Sequence, residues 1–273
     1  MRVLISIAAV CLSMTGAPGA KAAANEALAD FVVAQGCAIG PATRALAGNA
    51  GFAEEAIDAL AAQADGEAGT VRTGDWIVLP PSLCSIRPPE VRSEIGLGDP
   101  EVTALTSRID AYAESGERGC FIDGPTLMER VQETRGWDAD KANQEYLRFL
   151  AENLRSGDLA FYKNDPLSTP VGFQVLTDDC ADVPEIDAIQ RSQALRDREF
   201  DDLIRADATN VVCGRDDAPS YHFMNLVQER TGSENTNAWM HFEVRMMAMG
   251  GGWYVGNSAT QKGTPRPPLC RFE

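Results

Sequence analysis

The cysteines of this chain recur in a threefold pattern, and this pattern constrains the fold more than any other feature. The first cysteine of each pair opens a helical stretch, and the second closes a strand-like stretch. The pairs are Cys37 and Cys84, Cys120 and Cys180, and Cys213 and Cys270. Equivalent glycine motifs, "GDWIV", "GDLAF" and "GGWYV", begin at Gly74, Gly157 and Gly251. The sequence therefore predicts three copies of one structural unit.

The first 24 residues have the composition of a secretory signal. Arg2 supplies the positive charge, residues 3–14 are apolar, and A-x-A cleavage patterns occupy residues 20–22 and 22–24. The apolar run is shorter than the roughly 20 residues that a membrane-spanning helix needs. We therefore expect residues 1–24 to be a signal peptide. The mature chain is then exported, to the periplasm or outside the cell, without a membrane span.

Export favours disulfides as the state of the cysteines. One of the seven cysteines, Cys11, lies in the signal segment, which leaves an even number. The chain has no C-x-x-C spacing, so a zinc ribbon or a redox motif is disfavoured. If each copy is one unit, the simplest pairings are Cys37–Cys84, Cys120–Cys180 and Cys213–Cys270. Each bond would close a loop of about 50 to 60 residues and stabilise the fold by about 4 kcal/mol.

Hydrophobic periodicity predicts a helix-rich α+β fold. The three tandem units are residues 25–89, 99–183 and 184–273, each with three helices and a β-hairpin. Linkers rich in Pro, Gly or Asp occupy residues 87–100 and 178–184. The first hairpin is expected to turn at residues 80–82, and the last to pair "WYVG" with "LCRFE". The second unit is expected to begin with one amphipathic helix, on which Val102, Leu105, Ile109 and Tyr112 share a face.

The predicted order of elements is similar to that of a winged helix. Within the first copy, "ALAGNAGFAEEAIDAL" resembles a helix-turn-helix, with small residues and Gly51 at the turn. In an exported acidic protein, the resemblance implies a surface that binds protein rather than DNA. An unrelated α+β repeat unit fits the same order of elements.

The charge of the chain limits its partners. The sequence has 40 acidic and 24 basic residues, and its net charge is −16. Nucleic acids and anionic membranes require clustered Lys and Arg, so we expect neither as a partner. An acidic surface steers basic partners, although acidity also simply keeps a protein in solution.

The sequence contains no complete catalytic or cofactor motif. Ser220 lies two residues before His222, but no G-x-S-x-G elbow surrounds it. "MGGGW" lacks the phosphate-binding spacing and predicts a helix end, so we expect no cofactor. The acidic pairs Asp178–Asp179 and Asp216–Asp217 are the candidates for hydrolytic chemistry.

The third copy concentrates histidine and methionine. Exported residues of these types form soft-metal sites, above all for Cu(I). The candidate ligands are His222, Met224, Met240 and His241. The alternative is that the methionines fill gaps in the core, since they lie on apolar helical stripes.

Three functional hypotheses follow. The first is a non-enzymatic module that binds a protein or a cell-envelope component, because tandem repeats usually provide a long binding surface. The second is an exported hydrolase that uses Asp or Glu at a cleft between units. The third is a copper-binding protein that uses the third copy. We also expect Trp76 and Trp253 in the core, and Arg87 and Arg266 at the surface.

Overall fold

The structure, a computed structural model, describes residues 18–107, 120–167, 169–170, 172–215 and 220–273. Most of the predicted signal segment, residues 1–17, lies outside these residues, as do Ile109, Tyr112 and the pair Asp216–Asp217. Among the residues that the structure describes, no helix is long and apolar enough to span a bilayer.

Residues 18–89, which are the predicted first copy and the end of the predicted signal segment, contain three helices and a three-stranded sheet. Their elements are α1 (Pro18–Ala34), β1 (Ala38–Ile39), α2 (Pro41–Asn49), α3 (Glu54–Gln63), β2 (Val71–Thr73) and β3 (Trp76–Val78). The strands are antiparallel in the order β1-β3-β2. The hairpin turns at Gly74, whose φ is +54°. The chain also turns at residues 80–82, where the Leu83 and Cys84 amides donate to the Pro80 carbonyl at 3.0 Å, but no strand follows this turn within the described residues 84–99. The hairpin predicted there is therefore wrong.

The second copy adds a four-stranded sheet and a long helix. Its elements are α4 (Pro100–Thr103), β4 (Thr106–Ser107), β5 (Phe121–Asp123), α5 (Gly124–Arg135), α6 (Ala139–Ser156), β6 (Leu159–Ala160) and β7 (Gly172–Val175), before a 3₁₀ turn at Asp178–Cys180. The strand order is β4-β5-β7-β6. The helix predicted from Val102 onward ends at Thr103, so the prediction is wrong for the stretch up to Ser107, where this described range ends. Thr106 and Ser107 instead pair with β5, a tertiary contact that overrides the helical pattern.

The third copy is mainly helical. Its elements are α7 (Ile186–Asp207), α8 (Ser220–Thr231), a 3₁₀ turn at Gly232–Glu234, α9 (Met240–Gly250), β8 (Tyr254–Val255) and β9 (Thr264–Pro265). The strand β8 pairs with β9 and not with "LCRFE", so that prediction is wrong. Arg271 forms a bridge with Val212 instead, because the bond between Cys213 and Cys270 holds the two segments together.

Three disulfides brace this helix-rich α+β fold. They join Cys37 to Cys84, Cys120 to Cys180, and Cys213 to Cys270. These are the pairings that the repeat pattern favoured. Disulfides persist in oxidising compartments, so the framework indicates a protein that works outside the reducing cytosol.

One hydrophobic core connects all three copies. Its largest cluster includes Val32 from the first copy, Phe149 from the second and Trp253 from the third. Trp253 is completely buried, and its indole Nε1 donates to the Ala34 carbonyl at 2.9 Å. The first and third copies are therefore in direct contact, and the three copies do not form an open row.

Arg266 also joins the first and third copies, and its predicted place at the surface is wrong. The side chain is 4% exposed and lies over the Trp76 ring, 5.3 Å from its centre. Its guanidinium donates to Gln35 Oε1 at 2.9 Å and to the Pro267 carbonyl at 2.8 Å. Burial lowers the pKa of Arg266 to about 10. Arg87, in contrast, is exposed as predicted.

The predicted linker at residues 87–100 is a fixed part of the structure. Glu152 accepts a hydrogen bond from the Ser93 amide, and the buried Glu145 accepts one from the Glu94 amide, both at 2.8 Å. Both acceptors belong to α6. Arg135 donates to the Glu94 carbonyl and pairs with Glu101 at 2.6 Å. The segment is thus tied along the second copy, which fixes the joint between the first two copies.

Candidate binding cleft

An open cleft of about 780 Å³ lies where the three copies meet, and we call it the central cleft. The first copy contributes Leu46, and the fixed linker contributes Glu90 and Val91. The second copy contributes the start of α6, and the third contributes the segment after α9. The lining residues that carry the argument below are Leu46, Asp138, Asp140, Leu147, Met249 and Tyr254.

Glycines let the three copies approach one another at this point. A Cβ atom on Gly250 would lie 2.3 Å from the Leu147 carbonyl oxygen on α6. On Gly251 it would lie 2.4 Å from Pro89 Cγ in the fixed linker. The "GGG" motif therefore does more than end α9, because it allows the backbone of the third copy to contact the other two.

The positive charges on the α6 wall of the cleft are already paired. Lys141 Nζ lies 3.2 Å from Glu94, and Arg148 lies 2.8 Å from the buried Glu145. Asp138 and Asp140 have no cationic partner among the described residues. Asp138 caps α6 by accepting from the Lys141 amide at 2.8 Å, and Asp140 accepts from the Ala259 amide at 2.9 Å. The cleft therefore carries uncompensated negative charge.

The acidic residues of the central cleft are exposed. Glu90, Asp138 and Asp140 all face solvent. A general acid needs a carboxyl group whose burial keeps its proton near neutral pH. None of these three residues has that environment.

The acidic pair Asp178–Asp179 lies apart from the central cleft. It borders a second groove of about 600 Å³, beside the Cys120–Cys180 disulfide. Both carboxylates are exposed, and Asp178 adopts a left-handed φ of +51°. The structure thus does not bring this pair together with the lining of the central cleft.

The proposed copper ligands lie on two helices, His222 and Met224 on α8, and Met240 and His241 on α9. Met240 is completely buried within the main hydrophobic cluster, and His241 is 5% exposed. In the part of the chain that the structure describes, no group of three or more His, Cys, Asp or Glu residues could hold a metal. Met240 thus has the environment of a core residue.

A buried polar cluster lies beneath the strand that lines the cleft. Asp207, Arg245 and Tyr254 surround a cavity of about 20 Å³. Asp207 Oδ1, Arg245 Nε and the nearby His222 Nε2 are buried without a hydrogen-bond partner. Such a cavity holds about one water molecule. Burial raises the pKa of Asp207, and the charges of Arg245 and His222 oppose this shift.

No sequence motif predicted this cluster. Asp207 ends α7, while Arg245 lies in the middle of α9, and no motif connects them. Burial raises the pKa of Tyr254, whose ring is close enough to Arg245 and Asp207 to feel both charges. The cluster therefore lies next to β8, because Tyr254 lines both the small cavity and the central cleft.

His241 makes the protein sensitive to acid. Burial lowers its pKa to about 4; a hydrogen bond with the Ala238 backbone opposes this shift, and the charge of Arg245 adds to it. In the unfolded chain this histidine takes up its proton near pH 6.5. The stability from a neutral His241 is therefore complete above about pH 6.5 and is lost as the pH falls toward about 4.

We expect His241→Leu to make the free energy of unfolding less dependent on pH in this range. Between about pH 7 and about pH 5, the native protein loses about 1–2 kcal/mol of unfolding free energy through this residue, and the variant does not. Urea unfolding at the two pH values measures the difference. Equal losses in both proteins would show that His241 is not the acid-sensitive group.

No protein-family model, no curated protein and no solved structure matches this chain. The central cleft is therefore interpreted from its own geometry.

Proposed function

We propose that this protein is an exported binding protein without catalytic activity of its own. Its ligand is a protein or a cell-envelope component, and its binding surface is the central cleft. The observation that carries the proposal is the position of the cleft, since all three copies contribute to it. Binding sites occur preferentially at such junctions, where polar and apolar groups from several elements converge.

The framework around the cleft suits binding. The fixed linker contributes Glu90 and Val91 to the lining and is hydrogen-bonded to α6, so part of the surface that a ligand meets is preformed and less ordering free energy opposes binding. Leu46 is 47% exposed at the cleft, although it is a large apolar residue. Its side chain therefore offers an apolar contact to a ligand within an otherwise largely polar lining.

The exposure of the acidic residues supports binding over hydrolysis. The copper hypothesis is weaker than the binding hypothesis because Met240, one of the proposed ligands, is enclosed in the core. Neither alternative has an observation of its own in its favour.

We propose further that the copies are tandem units with a common winged-helix-like ancestor. The first two copies share the order strand, helix, helix, strand, strand, and their sheets follow the same order, β1-β3-β2 and β5-β7-β6. An equivalent hydrogen bond supports this. Leu79 N donates to the Cys37 carbonyl at 2.8 Å, and Val175 N donates to the Cys120 carbonyl at 2.7 Å.

Capture of the protein by cell-envelope preparations tests the binding function. We expect Leu46→Asp to reduce capture by about tenfold, because the new charge disrupts apolar contact in the cleft. Leu167→Asp is the matched control, since Leu167 is 91% exposed and does not line the cleft. It should be captured as well as the native protein.

Equal capture of the native protein and Leu46→Asp would contradict the proposal. Both variants should first show native melting temperatures, so that lost capture reports lost binding. The mass of the captured ligand should also remain unchanged during incubation. Cleavage that Asp138→Asn or Asp140→Asn abolishes would support the hydrolase alternative instead.

A further inference from the structure

The free edge of β8 identifies the class of ligand. We propose that the central cleft binds an extended peptide segment of basic character, which adds to β8 as a further strand. This inference rests on the binding function proposed above and specifies its ligand. It depends on three features, namely the pairing of β8, the open space beside it and the charge of the cleft.

The register of the β8–β9 ribbon leaves the backbone N–H and C=O of Tyr254 without a partner on β9. Tyr254 is opposite Pro265, which has no N–H, and Val255 is opposite Thr264. Arg266 N donates to the Trp253 carbonyl at 3.0 Å. In an antiparallel ladder with this register, Val255 and Thr264 exchange hydrogen bonds, and the Tyr254 N–H and C=O point away from β9. Among the described residues, no other strand pairs with β8.

This edge is accessible. Tyr254 lines both the central cleft and the small cavity that Asp207 and Arg245 border. Gly252 and Gly256 flank the strand, and a Cβ atom on either would meet nothing within 4 Å. A peptide backbone can therefore approach closely. Unpaired strand edges of this kind bind extended peptides through main-chain hydrogen bonds.

Charge complementarity selects a basic peptide. Asp138 and Asp140 are exposed at the cleft and have no cationic partner among the described residues, while Lys141 and Arg148 are already paired. The whole chain has a net charge of −16, which steers a cationic ligand toward it.

Apolar side chains complete the site. Leu46 and Met249 lie in the cleft near the acidic residues. Successive side chains of a strand point in opposite directions, so a ligand that alternates basic and apolar residues satisfies both kinds of contact. A strand of about six residues is about 20 Å long, which is typical of strands in proteins.

A blocked peptide of sequence Lys-Val-Lys-Val-Lys-Val is the probe, and calorimetry on the full chain is the measurement. We expect saturable binding below about 1 mM, and binding at least about tenfold weaker for the matching Glu-Val peptide. Asp138→Asn and Asp140→Asn should each weaken binding of the basic peptide. Two N-methylated versions, one blocking the odd amides and one the even amides, test the strand pairing. One version should lose binding and the other retain it, because only one edge of the peptide faces β8.

The outcomes separate this inference from the function on which it rests. The inference is overturned if the basic peptide fails to bind, if the acidic peptide binds equally well, or if both N-methylated versions bind like the parent. The binding function survives each of these results if envelope capture still depends on Leu46. If capture is independent of Leu46, the proposed function itself fails.

Discussion

Replacing Gly250 with alanine is expected to lower the free energy of unfolding by about 2–3 kcal/mol. The added Cβ would lie 2.3 Å from the Leu147 carbonyl oxygen and 2.5 Å from Ala151 Cβ. Both atoms are on α6, and one belongs to the backbone, so no side chain can rotate away. The helices α6 and α9 would have to separate, which would loosen the joint between the second and third copies.

Gly48→Ala is the matched control for this prediction. Gly48 lies in α2, and a Cβ atom there would meet nothing within 4 Å. Alanine stabilises a helix relative to glycine by about 0.5–1 kcal/mol, so this variant should be slightly more stable than the native protein. Chemical denaturation of the two variants measures the contrast. Similar stabilities would mean that α6 and α9 do not approach closely at Gly250.

Replacing Arg196 with methionine is expected to cost about 3–5 kcal/mol. The Arg196 side chain is completely buried on α7, and it pairs with Glu243, 1% exposed, at 2.9 Å. It also donates to the Leu154 carbonyl at 2.8 Å. Burial alone would lower the pKa of Arg196, but the charges and hydrogen bonds of Glu243 and Asp197 outweigh this and raise it. The guanidinium therefore stays charged, and its loss leaves a buried carboxylate without a counter-charge.

A neighbouring arginine on the same helix is the control. Arg198 also has two acidic partners, Glu199 and Glu234, but its side chain is 59% exposed. Solvent screens such pairs, so Arg198→Ala should leave the melting temperature unchanged. A double variant, Arg196→Met with Glu243→Leu, should recover part of the loss, because it removes both buried charges. If Arg196→Met is as stable as Arg198→Ala, the buried pair does not hold α7 and α9 together.

Local patterns in the sequence predicted the covalent framework and most of the helices. The repeated cysteines pointed to the three disulfides, and the apolar periodicity indicated a helix-rich fold. Each of these signals is contained within a single copy. The helix expected to continue from Val102 through Leu105 is an instructive error, because α4 ends at Thr103. The apolar spacing was correct, but pairing with β5 gave Thr106 and Ser107 a competing conformation.

Contacts between copies could not be predicted. Arg266 follows a surface-like pattern beside prolines, yet Gln35 and Trp76 of the first copy enclose it. The central cleft and the cluster of Asp207, Arg245 and Tyr254 could not be predicted for the same reason. They form only when distant segments meet, and sequence periodicity carries no information about which copies touch. The glycines of "MGGGW" were the sequence feature that corresponds to these contacts, because close approach of backbones requires residues without a side chain.

Hydrogen–deuterium exchange of the protein bound to an envelope preparation shows which surface the ligand covers. Amides that a ligand covers or pairs with exchange more slowly. We expect slower exchange around Leu46, along the start of α6 and from Gly252 to Asn257, with the largest change at Tyr254. Protection confined to the groove beside Asp178 and Asp179, with unchanged exchange from Gly252 to Asn257, would contradict binding at the central cleft.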